Sequence, residues 1–175
     1  MRGYFGIGVE RISKPMNAGS LFRTANAFGA SFVFTLNAYY TVRQGNMADT
    51  SHALNALPFF EWDNIDDLIL PRGCRLVGVE FLDEAIELPR YRHPSAAAYV
   101  LGPEKGSLSD QVLARCHDVI KIPTRFCINV ALAGALVMYD RVLSSNRFGE
   151  RPVVPPVPAK LPKSEDWVAP AKSPH

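Results

Sequence analysis

Apolar and polar positions along the 175-residue chain alternate in blocks that predict strands followed by helices. Tyr4 to Glu10 reads as a buried strand, followed by a polar turn at Ser13 to Pro15. From about Gly19 to Phe28, Leu21, Phe22, Ala25 and Phe28 fall at helical spacing, and Gly29 closes that helix. Ser31 to Leu36 is a second apolar strand. Residues 39–55 carry less pattern, with a short helix start at Asp49-Thr50-Ser51-His52. Phe59 to Trp62 reads as an edge strand, with a small helix near Ile65 to Leu70. Arg75 to Phe81 and Ala98 to Leu101 are strands. Ser109 to Arg115 is a helix whose start suits Ser109 and Asp110. Val119 to Ile122 is a last strand, and Ile128 to Leu143 the longest helix, with Val130, Ala133, Gly134, Val137 and Met138 among its apolar and small positions. Strands alternating with helices predict an α/β fold around a mostly parallel sheet.

After Ser144 the character changes. Residues 151–175 hold seven of the chain's 14 prolines and no apolar period, so the expected organisation is one folded domain over 1–148 and a Pro-rich tail over 149–175. A hydrophobic content of 47% suits such a core. No run of 18 apolar residues and no secretory pattern occur, so no membrane segment is expected. Cys74, Cys116 and Cys127 sit at no metal or redox spacing, which favours free thiols and a cytoplasmic location. His52, His93, His117 and His175 are dispersed, so no metal is expected.

A net charge of +2 neither demands nor excludes nucleic acid; any RNA affinity must come from local patches. Arg11, Lys14 and Arg23 form one candidate patch, with Lys121 and Arg125 another. Glu61, Asp63, Asp66 and Asp67 form an acidic one. Tyr39 and Tyr40 are candidates for base stacking or for covering the core.

Ligands of open α/β sheets sit outside the carboxyl ends of the strands. Leu101-Gly102-Pro103-Glu104 leaves a strand and turns at once: Gly102 permits close backbone approach, Pro103 fixes the turn, and Glu104 is delivered to the strand end. Ile122-Pro123 repeats that arrangement one strand later. On these residues alone, a ligand site and two ordinary strand-to-helix turns both remain open.

Three segments decide between them: Asn17-Ala18-Gly19-Ser20-Leu21-Phe22-Arg23-Thr24-Ala25, Leu101-Gly102-Pro103-Glu104-Lys105-Gly106, and Ile122-Pro123-Thr124-Arg125-Phe126-Cys127-Ile128-Asn129-Val130. In order and spacing they resemble the three motifs of the SpoU/TrmH family, RNA ribose 2′-O-methyltransferases of the SPOUT superfamily. The resemblance spans about residues 3–145 and implies a deep C-terminal trefoil knot that cradles S-adenosylmethionine. Carried over by position, it assigns the cofactor to Val79, Gly102, Glu104, Ile122, Cys127 and Asn129. It assigns catalysis to Arg23, Asn17, Glu104 and Asn129. The family's arginine has been proposed as general base, but a guanidinium pKa above about 12 suits Arg23 to orienting the nucleotide and stabilising the ribose oxygen instead. It further implies a minimal catalytic-domain-only type, a homodimer, and an RNA substrate, tRNA ahead of rRNA.

The chain departs from the family pattern in three places. Ser107 stands where the second motif expects glycine, with Gly106 one position early. The spacing from Pro123 to Asn129 is shorter than the family's usual third motif, and Cys127 replaces a typical serine. Ser107 and the short third loop motivate one further class, a knot-fold RNA-binding protein without catalysis. A small-molecule-binding α/β module with no RNA substrate is another, against which the basic residues around the first motif weigh.

Overall fold

The computed structural model describes residues 3–39 and 57–145. The short helix start at residues 49–52, Tyr40, and the tail beyond residue 145 lie outside the described residues. Seven strands form one sheet: β1 (Tyr4–Glu10), β2 (Phe32–Leu36), β3 (Phe59–Trp62), β4 (Arg75–Val79), β5 (Ile86–Glu87), β6 (Ala96–Leu101) and β7 (Asp118–Lys121). Their order is β3-β2-β1-β6-β4-β7-β5, and every pairing among them is parallel. Among the described residues three α-helices accompany them: α1 (Pro15–Ala27), α2 (Asp110–Arg115) and α3 (Val130–Ser144).

A parallel sheet needs cover on both faces. Along β1, Phe5, Ile7 and Val9 join the core under α1 and α3 with Leu21, Phe22, Ala25, Val137 and Met138. Gly6 and Gly8 alternate with them, and the rings of Phe32 and Phe34 fill the space that a Cβ at each would take. That second face continues through Leu76, Ala98 and Val100 to Leu108 and to Val112 of α2. The two helices of the first face approach closely because α3 presents Gly134, where an added Cβ would lie 2.3 Å from Leu21 Cδ1.

At the far end of the sheet from the strand carboxyl ends, buried Arg141 of α3 ties strand starts together. Its Nη1 donates to Pro94 O (2.7 Å) and Tyr99 Oη (3.0 Å), and its Nη2 to Ser95 O (2.9 Å) and Tyr4 O (3.1 Å). The Tyr99 hydroxyl lies 2.6 Å from His93 Nδ1, and His93 Nε2 lies 2.9 Å from Asp140 Oδ2. With Arg141 donating to it, the Tyr99 oxygen donates its own proton to Nδ1, leaving Nε2–H for Asp140.

The elements match the sequence pattern with shifted ends. Helix α1 begins at Pro15 instead of Gly19, because proline at the first helical position lacks only an N–H that the helix does not use. The expected helix near Ile65 to Leu70 is a single 3₁₀ turn, Ile65–Asp67. The strand expected to reach Phe81 stops at Val79, and β5, two residues long, has no pattern to reveal it.

Burial lowers the His93 pKa, and the nearby Arg141 charge acts with it against the pull of Asp140. A folded-state value below the ordinary 6.5 means the unfolded chain takes the proton first. This contribution to stability is full above about pH 6.5 and is lost as pH falls through the folded value. Denaturation midpoints measured below about pH 6.5 should therefore drop, by up to about 1.4 kcal/mol per pH unit, and His93→Gln should lack this component.

Candidate functional site

The carboxyl ends of β1, β6, β4 and β7 converge on a cavity of about 390 Å³, within the size range of small-molecule sites. Val79, Leu101, Ile122, Ile128, Val130 and Ala133 supply apolar wall, while Lys14, Asn17, Glu80, Glu104 and Asn129 supply polar groups. The loop following β6 approaches so closely that a Cβ on Gly102 would lie 2.6 Å from Glu80 Oε2.

Glu104 is the hub. Its Oε2 accepts the Ser13 amide (3.2 Å) and hydroxyl (3.0 Å). Its Oε1 accepts the Lys14 amide (3.2 Å) and Asn17 Nδ2 (3.0 Å). Lys14 is the N-cap of α1, so the carboxylate sits at a helix start where acceptors are favoured. Asn129 completes the chain: its Nδ2 donates to Asn17 Oδ1 (3.1 Å), while its Oδ1 accepts the Ala131 (2.9 Å) and Leu132 (3.4 Å) amides as the cap of α3. Burial alone would raise the Glu104 pKa, but the hydrogen bonds from Asn17 and Ser13 outweigh it and hold the carboxyl below its ordinary range. Glu104 is thus an ionised acceptor, with its lone pairs already engaged by donors.

The loop carrying Glu104 is fastened again further on. Glu10 Oε2 accepts the Ser109 amide (2.8 Å), and Glu80 Oε2 accepts the Leu108 amide (2.6 Å). Arg11 donates to the Ser107 carbonyl. Gly106 takes φ +90°, a backbone conformation open to glycine, which explains why the glycine stands one position early and Ser107 is tolerated. In the next loop Thr124 Oγ1 donates to Phe126 O at 2.8 Å and so curls the segment before Cys127.

Of the residues singled out from sequence, Asn17, Val79, Gly102, Glu104, Ile122, Cys127 and Asn129 all line this cavity. Arg23 does not; it projects from the exposed side of α1. Cys127 is an exposed free thiol on the rim, and no pair of the described cysteines is bonded. Two members of the expected basic patches have structural partners. Arg11 serves the Ser107 carbonyl and lies 3.7 Å from Glu10, while Lys121 donates to the Leu82 (3.0 Å) and Asp83 (2.7 Å) carbonyls. Lys14 and Arg125 remain exposed, as does Tyr39. Glu80 and Phe81 line the cavity but escaped the sequence reading, which placed both inside a strand. The signal available was an acid at the carboxyl end of the Arg75 strand, the usual place for a ligand contact. Among the described residues no group of His, Cys, Asp and Glu is arranged to hold a metal ion. No described helix is long and apolar enough to cross a membrane.

The model of the SpoU rRNA methylase family matches residues 5–139. The tRNA (guanosine(18)-2′-O)-methyltransferase of Escherichia coli K12 is 24% identical over 139 residues, 75% of this chain and 60% of that protein. The chain thus spans less than two thirds of that relative. The SpoU methyltransferase AviRb from Streptomyces viridochromogenes, solved with AdoMet, superposes with a TM-score of 0.74 at 19% identity, covering 85% of this chain and 63% of that one. A structure bearing on 2-OH methylation of C/U34 on tRNA superposes with a TM-score of 0.69 at 21% identity, covering 82% and 92%. At these identities the superpositions establish a shared fold.

Replacing Glu104 by alanine leaves the Ser13, Lys14 and Asn17 donors without their acceptor. We expect a loss of about 1–3 kcal/mol in denaturant unfolding, since one partner of a charge-assisted set is removed. The same contribution in the wild type should be full above the ordinary value near pH 4.5 and fade as pH falls through the lowered folded value.

Proposed function

The chain belongs to the SpoU rRNA methylase family, and we propose that it methylates a ribose 2′-hydroxyl of RNA, tRNA ahead of rRNA, using S-adenosylmethionine. The observation that carries this reading is the convergence of three sequence-distant segments on one cavity, locked through the Glu104–Asn17–Asn129 chain. The residues present fit the cofactor. An apolar wall from Val79, Leu101 and Ile122 suits a purine, and Gly102 adds no side chain to the lining. Gly102, Ile122, Cys127 and Asn129 would hold it. When bound, S-adenosylmethionine supplies an electrophilic methyl group.

The chain's own residues then handle the nucleophile. Methyl transfer needs the 2′-oxygen aimed in line and its proton released as the new bond forms. Glu104 is a poor proton acceptor, because its oxygens already accept four hydrogen bonds; it positions Asn17 and the start of α1. Arg23 is exposed, permanently charged and rich in donors, so it grips an RNA phosphate and stabilises the oxygen as charge develops. Lys14 at the rim adds a second backbone contact.

The family resemblance implies a homodimer in which Arg23 of one copy serves the site of the other. Its exposed position outside the cavity of its own chain fits that reading. Leu132, Leu136 and Tyr139, spaced along one side of α3, are 61%, 44% and 49% exposed, which is the composition of an unpartnered interface. Within each copy, the loops at 102–109 and 122–129 together with α3 are read as the trefoil knot, and α3 packing on α1 fits that reading.

Labelled-methyl transfer to bulk tRNA and rRNA, with nuclease mapping of the protected 2′ position, tests the activity. We expect incorporation into tRNA; exclusive rRNA labelling would move the substrate, and cofactor binding with no transfer to either would leave a non-catalytic RNA binder. Arg23→Ala should keep cofactor affinity and lose about 10²–10³-fold in turnover. Leu136→Glu should shift the protein from dimer to monomer in sedimentation velocity and lower turnover with it.

A further inference from the structure

Glu80 is a second carboxylate in the cavity, and nothing in the reading above gives it a role toward ligand. It follows directly on β4, at the strand's carboxyl end, and is partly buried. Its Oε1 accepts the Phe81 amide (2.9 Å) and its Oε2 accepts the Leu108 amide (2.6 Å), so each oxygen is held by a backbone donor. It has no ion-pair partner among the described residues. Each carboxylate oxygen offers about two acceptor positions, and each here has one in use. A rigid carboxylate with two open acceptor positions and no neutralising cation calls for a ligand that brings two O–H donors side by side. It also repels a ligand carboxylate, and a purine base could offer it only a single exocyclic amine where a vicinal diol offers two O–H donors.

Resting on the cofactor reading above, we propose that Glu80 binds the vicinal 2′,3′-diol of the cofactor's ribose and is the main polar determinant of adenosine recognition in this site. The placement follows from the sheet: Val79 ends in apolar wall, and one residue later the chain presents the acid, so the sugar lies beside Glu80 with the base against Val79, Leu101 and Ile122. The close approach at Gly102 keeps the carboxylate in place, since any side chain there would meet Glu80 Oε2. Glu80 is a binding and positioning residue, not a proton acceptor.

The test is calorimetric binding of S-adenosylhomocysteine, its 2′-deoxy counterpart and 5′-methylthioadenosine to wild type and Glu80→Gln. We expect the wild type to bind the 2′-deoxy ligand about 10–100-fold more weakly than the parent, as for loss of a hydrogen bond to a charged group. Glu80→Gln should weaken S-adenosylhomocysteine and methylthioadenosine by a similar factor and nearly abolish the discrimination against the 2′-deoxy ligand. Undiminished discrimination in the variant, or equal wild-type affinity for both sugars, overturns the assignment. So does a loss confined to S-adenosylhomocysteine, which would put Glu80 on the ammonium group that methylthioadenosine lacks. Wild type that binds none of the three ligands removes the cofactor reading itself, a result distinct from these. The wild-type comparison of the two sugars needs no variant, so it stands even if Glu80→Gln folds poorly.

Discussion

One carboxylate organises the molecule's working end. An all-parallel sheet delivers several strand ends to one edge, where the chain must leave the ladder and its backbone groups lose their partners. Glu104 answers this for the segment after β1: the amides of Ser13 and Lys14 and the side chain of Asn17 all donate to it across some ninety residues of sequence. Asn17, held in this way, presents its oxygen to Asn129, which in turn caps α3. Helix α3 then packs back on α1 over β1. The positions of both helices and the shape of the cavity therefore follow from where that carboxylate sits.

The same economy appears in the other acids at this edge. Glu10, Glu80 and Glu104 each accept backbone amides from a loop distant in sequence. Carboxylates engaged in this way are poor candidates for accepting a substrate proton, because protonation would break the bonds that hold the loops. The arrangement leaves these acids to hold the loops around the cavity.

Much of this was legible in the sequence, for physical reasons that differ by residue. The alternation of strands and helices survives because the central strands β1, β2, β4 and β6 are buried on both faces, and helices α1 and α3 keep an apolar period. Gly102 and Ile122 stand at strand ends, where ligands of such a sheet bind, but Val79 was legible only through the family resemblance; all three line the cavity. The roles of Arg11 and Lys121 were not legible. A basic residue beside a motif looks like a nucleic-acid contact until the carbonyls of Ser107, Leu82 and Asp83 are seen to take its donors. Glu80 was hidden because strand pattern alone continues to Phe81, and only the real end of β4 at Val79 puts the acid at the cavity.

The departures from the family pattern bear on whether the site can work at all. A short third loop and a serine in the second motif would be serious if they closed the cavity or freed its walls. Neither happens: Gly106 takes the left-handed turn one residue early, and Arg11 catches the Ser107 carbonyl that follows. Arg11 itself adopts φ +50°, a conformation that is unfavourable for arginine. Local backbone strain of this kind persists only where surrounding contacts fix it. Here those contacts are the Glu10 carboxylate, the Leu36 carbonyl that accepts the Arg11 amide at 2.8 Å, and the loop that Arg11 restrains. The altered second motif and the strained end of β1 are thus one compensated feature, and the cavity between them stays open.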